Sequence, residues 1–519
     1  MKKLYVLLFS LISLNAVFAQ CDTTDINGDL IISTPNFMSG VYRVTGRFKV
    51  NSGITVFVQA YETNGCGMLH IIANEIIVDG TINGDFSGMT GGTGGNPGSL
   101  VSSLTGDVSA LTDCSNKDNT GFIQLEGGLA GINGLGLGGG VAGTTGGNGS
   151  GPKQQCLSSS DDPGMIGGSG GAGAGAGGSY GGDGGNGGNG GAGSSDYSVV
   201  GLNVSAAFPV VGGVAGSGGN SSNSYGTLSG MDIHLGSGGA GAGGGGRSFD
   251  IGLGGGTGGS GGGLVILEST DTLVVTGTIT VNGENGGQGG NGGESPKCCS
   301  DGCDNCGEAT LSTGSGGGGG AGGGSGGGIL LKTDGNALIT GVLSVNGGNG
   351  GNGGSRGNGT TCDYDNFFCG TESITSNNGN LGNDGGAGAG GRIKIFVPIC
   401  SQSTITPTNQ FIGGTGFMSG ENGTYFLGCS ELSIMEKSAN FKLDIYPNPI
   451  ENDLMIIGSE ELTNASITII DAVGKTVFNS TETINENPLS INLSDLAKGN
   501  YQLIIQSEAI FIVKKVTKN

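Results

Sequence analysis

Tracts of Gly-Gly-Xaa triplets constrain this chain more than any other feature of its sequence. The clearest is GGDGGNGGNGGAG at residues 181–193, and glycine supplies 121 of the 519 residues whereas proline supplies 11. This composition argues against collagen, whose helix needs a strict three-residue phase and abundant proline. Triplets in which two of three positions lack a side chain suit a helix of three residues per turn that packs closely against copies of itself. The competing structure is a flexible glycine linker.

The glycine tracts recur after similar apolar segments. Three segments align, beginning at Leu69, Leu264 and Ile329, and GGRIKIFVP near Arg392 repeats their opening. The later starts are about 65 residues apart, so the longer interval before Leu264 predicts intervening, degenerate units, with MDIHL from Met231 as a fragment of one. Each unit predicts a short apolar strand, a polar turn and two further strands joined through a glycine. Strands that cannot bury a face alone predict a stacked solenoid.

We therefore expect an all-β chain in which residues 20–430 form a parallel β-helix-like solenoid with glycine-rich excursions of polyglycine-II type. Ordering a residue costs about 1–2 kcal/mol, while a hydrogen bond returns a net of about 1 kcal/mol, so ordered tracts need dense packing. Linkers would not be expected to recur at a fixed place after a strand pair, which favours order. In LSVNGGNGGNGG at 343–354, we expect Leu343 and Val345 to face inward and Ser344 to face outward.

The N-terminus is typical of a secretory signal peptide over residues 1–19. Lys2 and Lys3 precede an apolar run, and small residues Val17 and Ala19 stand before the expected cleavage point. No later segment has the 18 or so consecutive apolar residues of a membrane span. We expect a protein that is secreted or held at the cell surface. A formal net charge of −22 argues against a nucleic-acid partner.

Twelve cysteines in an exported chain predict disulfides. The densest group, CCSDGCDNC, could instead bind zinc, but no histidine is near it and its compartment is oxidising. We therefore expect no metal site. The disulfide candidates are Cys21, Cys66, Cys114, Cys156, Cys298, Cys299, Cys303, Cys306, Cys362, Cys369, Cys400 and Cys429.

Glycine becomes scarce after a linker at 431–440, and residues 441–519 show alternating apolar strands divided by turns, which predicts a small β-sandwich. The ordered motifs are Tyr446-Pro447-Asn448-Pro449, then Asp471 with Gly474-Lys475, then Leu496 with Gly499 and Tyr501, and a basic tail of Lys514, Lys515 and Lys518. These residues resemble the C-terminal sorting domain of type IX secretion cargo in Bacteroidetes. The resemblance implies an Ig-like domain that the outer-membrane translocon recognises, and that is often removed at the cell surface.

Residues suited to catalysis or metal binding are scarce. The two histidines, His70 and His234, lie within alternating apolar segments and have no nucleophile motif nearby. DINGD at 25–29 has the spacing of calcium ligands but lacks the required glycine and glutamate, and DYDN at 363–366 is weaker, so we interpret both as turns. We expect no cofactor and no enzymatic activity.

The glycine tracts resemble, in composition and triplet pattern, the polyglycine-helix bundles of some phage tail-tip adhesins and of the snow flea antifreeze protein. The sequence thus favours a structural or adhesive repeat protein whose Asn, Thr and Ser side chains contact an extracellular glycan, a solid surface or another cell through many weak contacts. Ice binding is the alternative, and a polysaccharide-degrading β-helix enzyme is a more distant one.

Overall fold

The computed structural model describes most of the chain after residue 20. The described ranges are 21–61, 65–99, 122–152, 164–200, 210–295, 299–300, 309–366, 370–429, 443–459, 461–471, 475–506 and 511–519. They belong to two compact units, and the boundary between the units along the chain falls between Cys429 and Ser430. The described secondary structure is β apart from a single 3-10 turn at Cys400–Gln402, which confirms the all-β class. The predicted signal peptide (1–19) and linker (431–440) lie outside the described residues.

The strands of the first unit are short, apart from three long ones. They are β1 (Thr23–Ile26), β2 (Leu30–Ile32), β3 (Asn36–Met38), β4 (Gly40–Val50), β5 (Thr55–Val58), β6 (Met68–Val78), β7 (Thr81–Asn83), β8 (Phe122–Leu125), β9 (Gly149–Pro152), β10 (Gly164–Ile166), β11 (Tyr197–Val200), β12 (Leu264–Val275), β13 (Thr278–Thr280), β14 (Cys299–Ser300), β15 (Ala309–Ser312), β16 (Gly328–Thr333), β17 (Asn336–Ile339), β18 (Val342–Ser344), β19 (Thr361–Asn366), β20 (Gly370–Ser376), β21 (Arg392–Val397), β22 (Thr404–Ile405), β23 (Thr408–Gln410) and β24 (Thr424–Cys429).

Two parallel sheets organise this unit. One has the strand order β1-β4-β6-β12-β16-β21-β24, and the other has β3-β5-β7-β13-β18-β23. The two orders match, because each of the first six strands of the first sheet is followed along the chain by the corresponding strand of the second. Successive stretches of chain are thus stacked in the same order in both sheets.

The stack is held together by columns of identical hydrophobic positions. Strand pairing aligns Leu69 with Val265, Val265 with Ile329, and Ile329 with Ile393, and all four side chains are fully buried. A second column joins Ile82, Ile279 and Leu343 in the other sheet. Each fully buried aliphatic side chain contributes about 1.5–3 kcal/mol relative to an exposed one, so these columns are the main source of stability of the stack.

The segment 343–354, in which β18 is followed by a glycine tract, differs from expectation at one residue. Leu343 and Val345 are buried in the core, but Ser344, which we expected to be exposed, is also buried. Its hydroxyl lies 2.7 Å from Oδ1 of Asn282 and 3.2 Å from Oε1 of Gln410. Ser344 does face away from the core, and neighbouring amide side chains cover it.

The prediction of intervening repeat units before Leu264 is wrong. Strands β6 and β12 are direct neighbours, with Met68 opposite Leu264, although residues 84–263 lie between them in sequence. The segment from Met231 contains no strand. The hydrophobic columns specify the stack, so an insertion of any length leaves the strand register unchanged. The spacing of the repeats along the sequence therefore did not predict the number of stacked layers.

The glycine tracts pack side by side, and the tract at 314–327 lies at the centre of the others. Every N–H from Gly314 to Gly327 donates to a carbonyl of another tract, and every carbonyl from Ser315 to Ser325 accepts an N–H from another tract. Consecutive residues point to different neighbours, and the direction repeats every third residue. For example, Ser315, Gly318, Ala321 and Gly324 donate to Gly293, Gly290, Gly287 and Glu284, whereas Gly317, Gly320 and Gly323 donate to Asn380, Asn383 and Gly386.

This packing leaves no room for side chains at most interior glycines. A Cβ on Gly318 would lie 2.1 Å from the carbonyl oxygen of Gly243, and a Cβ on Gly324 would lie 2.0 Å from that of Ser260. Both contacts are to backbone, which cannot rotate away. Glycine is therefore required sterically, and the close approach it permits satisfies every N–H from Gly314 to Gly327 and every carbonyl from Ser315 to Ser325.

Two disulfides join described cysteines: Cys21–Cys66 and Cys400–Cys429. The first links the chain just before β1 to the chain just before β6, which lies two strands away in the sheet. Cys114, Cys156, Cys298, Cys303, Cys306 and Cys369 lie outside the described residues, and Cys299 and Cys362 lie in strands β14 and β19.

Removing the first disulfide should destabilise the unit measurably. Cys21→Ser/Cys66→Ser opens a loop that spans 45 residues, and a loop of this size stabilises a protein by about 2–4 kcal/mol through the entropy of the unfolded chain. Calorimetry of the oxidised protein should show a lower melting temperature for the double variant. An unchanged melting temperature would mean that the hydrophobic columns alone fix the first three layers.

The described residues of the second unit form seven strands: β25 (Leu443–Tyr446), β26 (Asp453–Gly458), β27 (Leu462–Ile470), β28 (Thr476–Ile484), β29 (Leu489–Asn492), β30 (Gly499–Gln506) and β31 (Phe511–Lys518). They form two antiparallel sheets, β25-β26-β29 and β28-β27-β30-β31. Leu454 and Ile456 of the first sheet and Ile467, Ile469 and Leu503 of the second belong to one buried hydrophobic core.

Candidate functional site

Three parallel glycine tracts form a surface that we name the polar face. They are residues 282–294, 346–358 and 411–418, which follow β13, β18 and β23 and lie beside one another in that order. Mainly polar side chains recur on them every third residue. These are Asn282, Asn285, Gln288, Asn291 and Glu294 on the first tract, Asn346, Asn349, Asn352, Ser355 and Asn358 on the second, and Ile412, Thr415 and Met418 on the third.

Asn285, Asn291 and Asn349 of the polar face share one orientation. Oδ1 of Asn285 accepts the N–H of Asn349 at 2.8 Å, and Oδ1 of Asn349 accepts the N–H of Thr415 at 2.9 Å. Asn291 accepts the N–H of Ser355 in the same way, at 3.0 Å. The amide oxygens are therefore used to join tracts. Within the described part of the chain, the Nδ2 groups of Asn285, Asn291 and Asn349 have no acceptor, so they are donors available to a ligand.

The two histidines lie in different surroundings, and among the described residues no serine or cysteine side chain forms a hydrogen bond with either ring. Nε2 of His70 lies 3.0 Å from Glu268, whose other oxygen accepts from Lys332 at 3.2 Å. Nε2 of His234 lies 3.7 Å from Asp232. The first contact joins β6 to β12, whereas the second lies within one short stretch of chain.

A buried polar cluster next to His234 was not recognised in the sequence. The side chain of Lys394 is 1% exposed, and its Nζ donates to the carbonyl of Gly230 at 2.8 Å and to Oδ1 of Asp232 at 3.2 Å. Burial lowers the pKa of Lys394. The hydroxyl of Thr227 donates to Asp232, and this bond holds the pKa of the carboxyl well below its ordinary range.

Aromatic rings complete this cluster. Arg392 lies over the ring of Tyr180 at 5.6 Å and donates to the carbonyl of Tyr225 at 2.9 Å. Burial raises the pKa of Tyr225 to about 12, and it raises that of Tyr180 further. Both hydroxyls are thus neutral at physiological pH: that of Tyr225 donates to the carbonyl of Leu235 at 2.8 Å, and that of Tyr180 accepts the N–H of His234 at 2.8 Å. The cluster joins the segment around residues 225–235 to β21, and its polar groups are used in that attachment.

The suspected calcium ligands form hydrogen bonds within the protein. Oδ1 of Asp29 accepts the N–H of Arg47 at 2.8 Å, and Oδ1 of Asn27 accepts the hydroxyl of Thr45 at 3.2 Å. The prediction of a turn at 363–366 is wrong, because these residues lie in β19, which pairs with β20 as an antiparallel hairpin. No group of three or more His, Cys, Asp or Glu side chains able to hold a metal lies among the described residues.

The predicted sorting motif is organised around the last strand. The side chain of Asn448 donates to the carbonyl of Lys515 at 3.0 Å and accepts the N–H of Thr517 at 2.9 Å. The hydroxyl of Tyr501 donates to the carbonyl of Ala497 at 2.7 Å. Residues 444–519 match the model of a family described as the secretion system C-terminal sorting domain. The sorting domain indicates export by the type IX machinery, and hence a secreted or cell-surface protein.

Other motif residues of the sorting domain have distinct environments. Lys514 and Lys515 are exposed, whereas Lys518 is buried and its Nζ donates to the carbonyl of Glu451. Lys475 donates its N–H to the carboxylate of Asp471 at 2.9 Å. Pro447, Pro449 and Gly499 lie beside or at the ends of strands β25 and β30. Gly474 lies outside the described residues.

No curated protein is significantly similar to the chain. None of the described helical segments has the length and apolarity to cross a membrane.

Proposed function

We propose that the chain is a secreted or surface-displayed structural and adhesive protein whose polar face contacts an extracellular glycan, a solid surface or another cell. The proposal rests on the shared orientation of Asn285, Asn291 and Asn349, which places free amide donors on neighbouring tracts. A single hydrogen bond contributes about 0.5–1.5 kcal/mol, so useful affinity comes from many contacts made at once.

The proposed architecture supports this role. Matched strand orders in two parallel sheets suit a β-helix-like solenoid. The tracts fit a polyglycine-II bundle, because their hydrogen bonds leave in directions that repeat every third residue, as in a helix with three residues per turn. For the sorting domain we propose an Ig-like sandwich. Its two antiparallel sheets share a core, and the Tyr501 hydroxyl bonds to backbone four residues upstream, as in a tyrosine corner.

A binding role is preferred to an enzymatic one. Hydrolysis of a glycosidic bond usually needs two carboxyl groups facing each other across the bond. The half-buried Asp232 is paired with Lys394 and accepts from Thr227, and Glu268 is held between His70 and Lys332. These carboxylates serve as structural partners in the proposed function.

Ice binding is the second candidate, because the polar face repeats small polar side chains at fixed intervals. Its mixed composition disfavours it, since Glu294, Ile412 and Met418 interrupt the rows of asparagine. A thermal-hysteresis measurement on the purified oxidised protein separates the two functions. We expect no hysteresis and no shaping of ice crystals, and clear ice shaping would replace adhesion with ice binding.

Adhesion should depend on the free amide donors. Asn285→Asp/Asn349→Asp keeps both oxygens that join tracts but removes both outward donors, so we expect attachment to the target surface to fall several-fold with little loss of stability. The control is Asn186→Asp/Asn189→Asp on the tract 183–193, where the side-chain oxygens accept the N–H groups of Ser221 and Gly218. Equal loss in both variants would assign the effect to added charge and contradict a specific polar face.

Export should require the sorting domain. Deleting residues 444–519 is expected to leave the protein in the periplasm, whereas fusing these residues to a periplasmic reporter should bring the reporter to the surface. Cell fractionation and surface labelling measure both. Surface delivery of the truncated chain would show that the first unit carries its own export signal.

A further inference from the structure

A groove interrupts the polar face where its third tract ends. The chain turns back after Gly416, and Gly420 donates its N–H to the carbonyl of Gly414 at 3.1 Å. Beyond this turn, the tract 346–358 has no third tract beside it. The resulting open groove has a volume of about 520 Å³. This lies within the usual range of ligand sites, about 300–1,000 Å³.

The groove is lined by amides, a hydroxyl and one carboxylate above a floor of glycine backbone. The lining side chains are Asn285, Gln288, Asn349, Asn352, Asp384 and Thr415. Oδ1 of Asp384 accepts the N–H of Gly353 at 3.0 Å, so its position is fixed while Oδ2 stays available as an acceptor. The free Nδ2 groups of Asn285 and Asn349 supply donors.

We propose that this groove binds a single chain of a neutral, hydroxyl-rich glycan, an inference that rests on the adhesive function proposed above. A sugar hydroxyl both donates and accepts, so it matches a carboxylate oxygen beside amide donors. No lysine or arginine of the described residues lines the groove, and the chain carries a net charge of −22, so an acidic polysaccharide would be repelled. The glycine floor, including Gly350 and Gly351, lets a sugar approach the backbone closely.

The shape of the groove selects a single chain over a crystalline solid. Its lining, in the part of the chain that the structure describes, includes no aromatic side chain, so it lacks the flat ring surface on which a sugar face stacks. The groove is open at its rim, which suits an internal segment of a polysaccharide. The rest of the polar face continues on both neighbouring tracts and can add weaker contacts.

The test is binding of the oxidised full-length protein to soluble polysaccharides by affinity gel electrophoresis. The neutral probes are a mixed-linkage β-glucan and an α-mannan, and polygalacturonate is the acidic counterpart. We expect at least one neutral probe to bind and the acidic one not to bind. Asp384→Asn keeps the oxygen that accepts from Gly353 but replaces the free acceptor with a donor, so the affinity should fall about tenfold or more.

Two comparisons make the result decisive. Asn352→Ala should also weaken binding, whereas Asn189→Ala, which lies outside the groove, should leave binding unchanged. Thermal melting checks that these two variants and Asp384→Asn are folded. Equal binding by wild type and Asp384→Asn, or binding of polygalacturonate comparable to that of the neutral probes, overturns the proposal. Failure of both neutral probes also overturns it. If neither neutral probe binds but the wild type still attaches to cells or solids, the adhesive function is retained and only the groove proposal is rejected.

Discussion

Gly324→Ala is expected to destabilise the first unit by about 1–3 kcal/mol or more, the usual cost of adding a methylene to a filled core. The new Cβ would lie 2.0 Å from the carbonyl oxygen of Ser260. That carbonyl already accepts the N–H of Glu284, so moving it breaks a bond to a third tract. Calorimetry of the oxidised protein should show a lower melting temperature for the first unit, with the sorting domain unaffected.

The matched control is Gly254→Ala. Gly254 is exposed, and the nearest atom to its Cβ position, the carbonyl oxygen of Gly95, is 3.4 Å away. The backbone there is outside the left-handed region, so alanine should be neutral or should stabilise by about 0.4–1 kcal/mol through the unfolded chain. If both substitutions were equally harmless, the tracts would not be packed as the structure places them.

The second large effect is expected for Asp232→Ala in the buried cluster. Removing one partner of a buried ion pair costs about 3–5 kcal/mol. The loss here should lie at or below the lower end of that range, because the Asp232 side chain is 33% exposed and the carbonyls of Gly230 and Asp232 still accept from Lys394. Chemical unfolding monitored by circular dichroism gives the difference in unfolding free energy.

A double variant separates the ion pair from the general packing. Asp232→Ala/Lys394→Met removes both charges and should recover most of the lost stability, because an apolar replacement of a buried pair is often close to neutral. If the double variant were no more stable than Asp232→Ala, the loss would come from the turn around Thr227 and not from the uncompensated charge.

The same pair predicts a pH dependence. The depressed pKa of Asp232 means that its contribution is present above the unfolded pKa, about 3.9, and is lost as the pH falls through the lower folded value. The difference in stability between wild type and Asp232→Ala should therefore shrink below about pH 4. A difference that stayed constant down to pH 2 would contradict the assignment of an ionised carboxylate.

The apolar alternation of the strands predicted most of the first unit's core. Positions such as Ile329 and Leu343 recur with period two in each aligned segment, and inward burial follows directly from that period. The number of layers could not be predicted in this way, because glycine tracts carry no alternating signal from which to judge whether another strand lies between β6 and β12.

The buried cluster shows a different limit. Leu264 and Leu330, which face away from the core, are nevertheless buried, and they signal that something covers this side of the sheet. Arg392 and Lys394 occupy the corresponding side of β21, where charged residues normally indicate solvent. Their partners lie around residues 225–235, more than 150 residues earlier, and only the folded chain brings them together.

The orientation of the asparagines likewise follows from packing between tracts that are distant in sequence. Gly-Gly-Asn triplets indicate where side chains emerge, but they do not indicate which amide atom is used. The structure shows that the oxygen joins tracts, since Asn285 and Asn349 each accept an N–H from the next tract. The groove beside Asp384 depends on where the third tract turns, and this turn has no signal in the triplet pattern.

The tract hydrogen bonds also bear on how long the molecule survives outside the cell. An asparagine followed by glycine ages by deamidation, in which the glycine nitrogen attacks the side-chain amide to close a succinimide ring. In the rows of the polar face that nitrogen is occupied: Gly286 donates to Asn349, Gly292 to Ser355, and Gly350 to Thr415. Ring closure would require these bonds to break and the tract to rotate. The bundle therefore makes a durable surface from a sequence rich in Asn-Gly, one of the dipeptides most prone to deamidation.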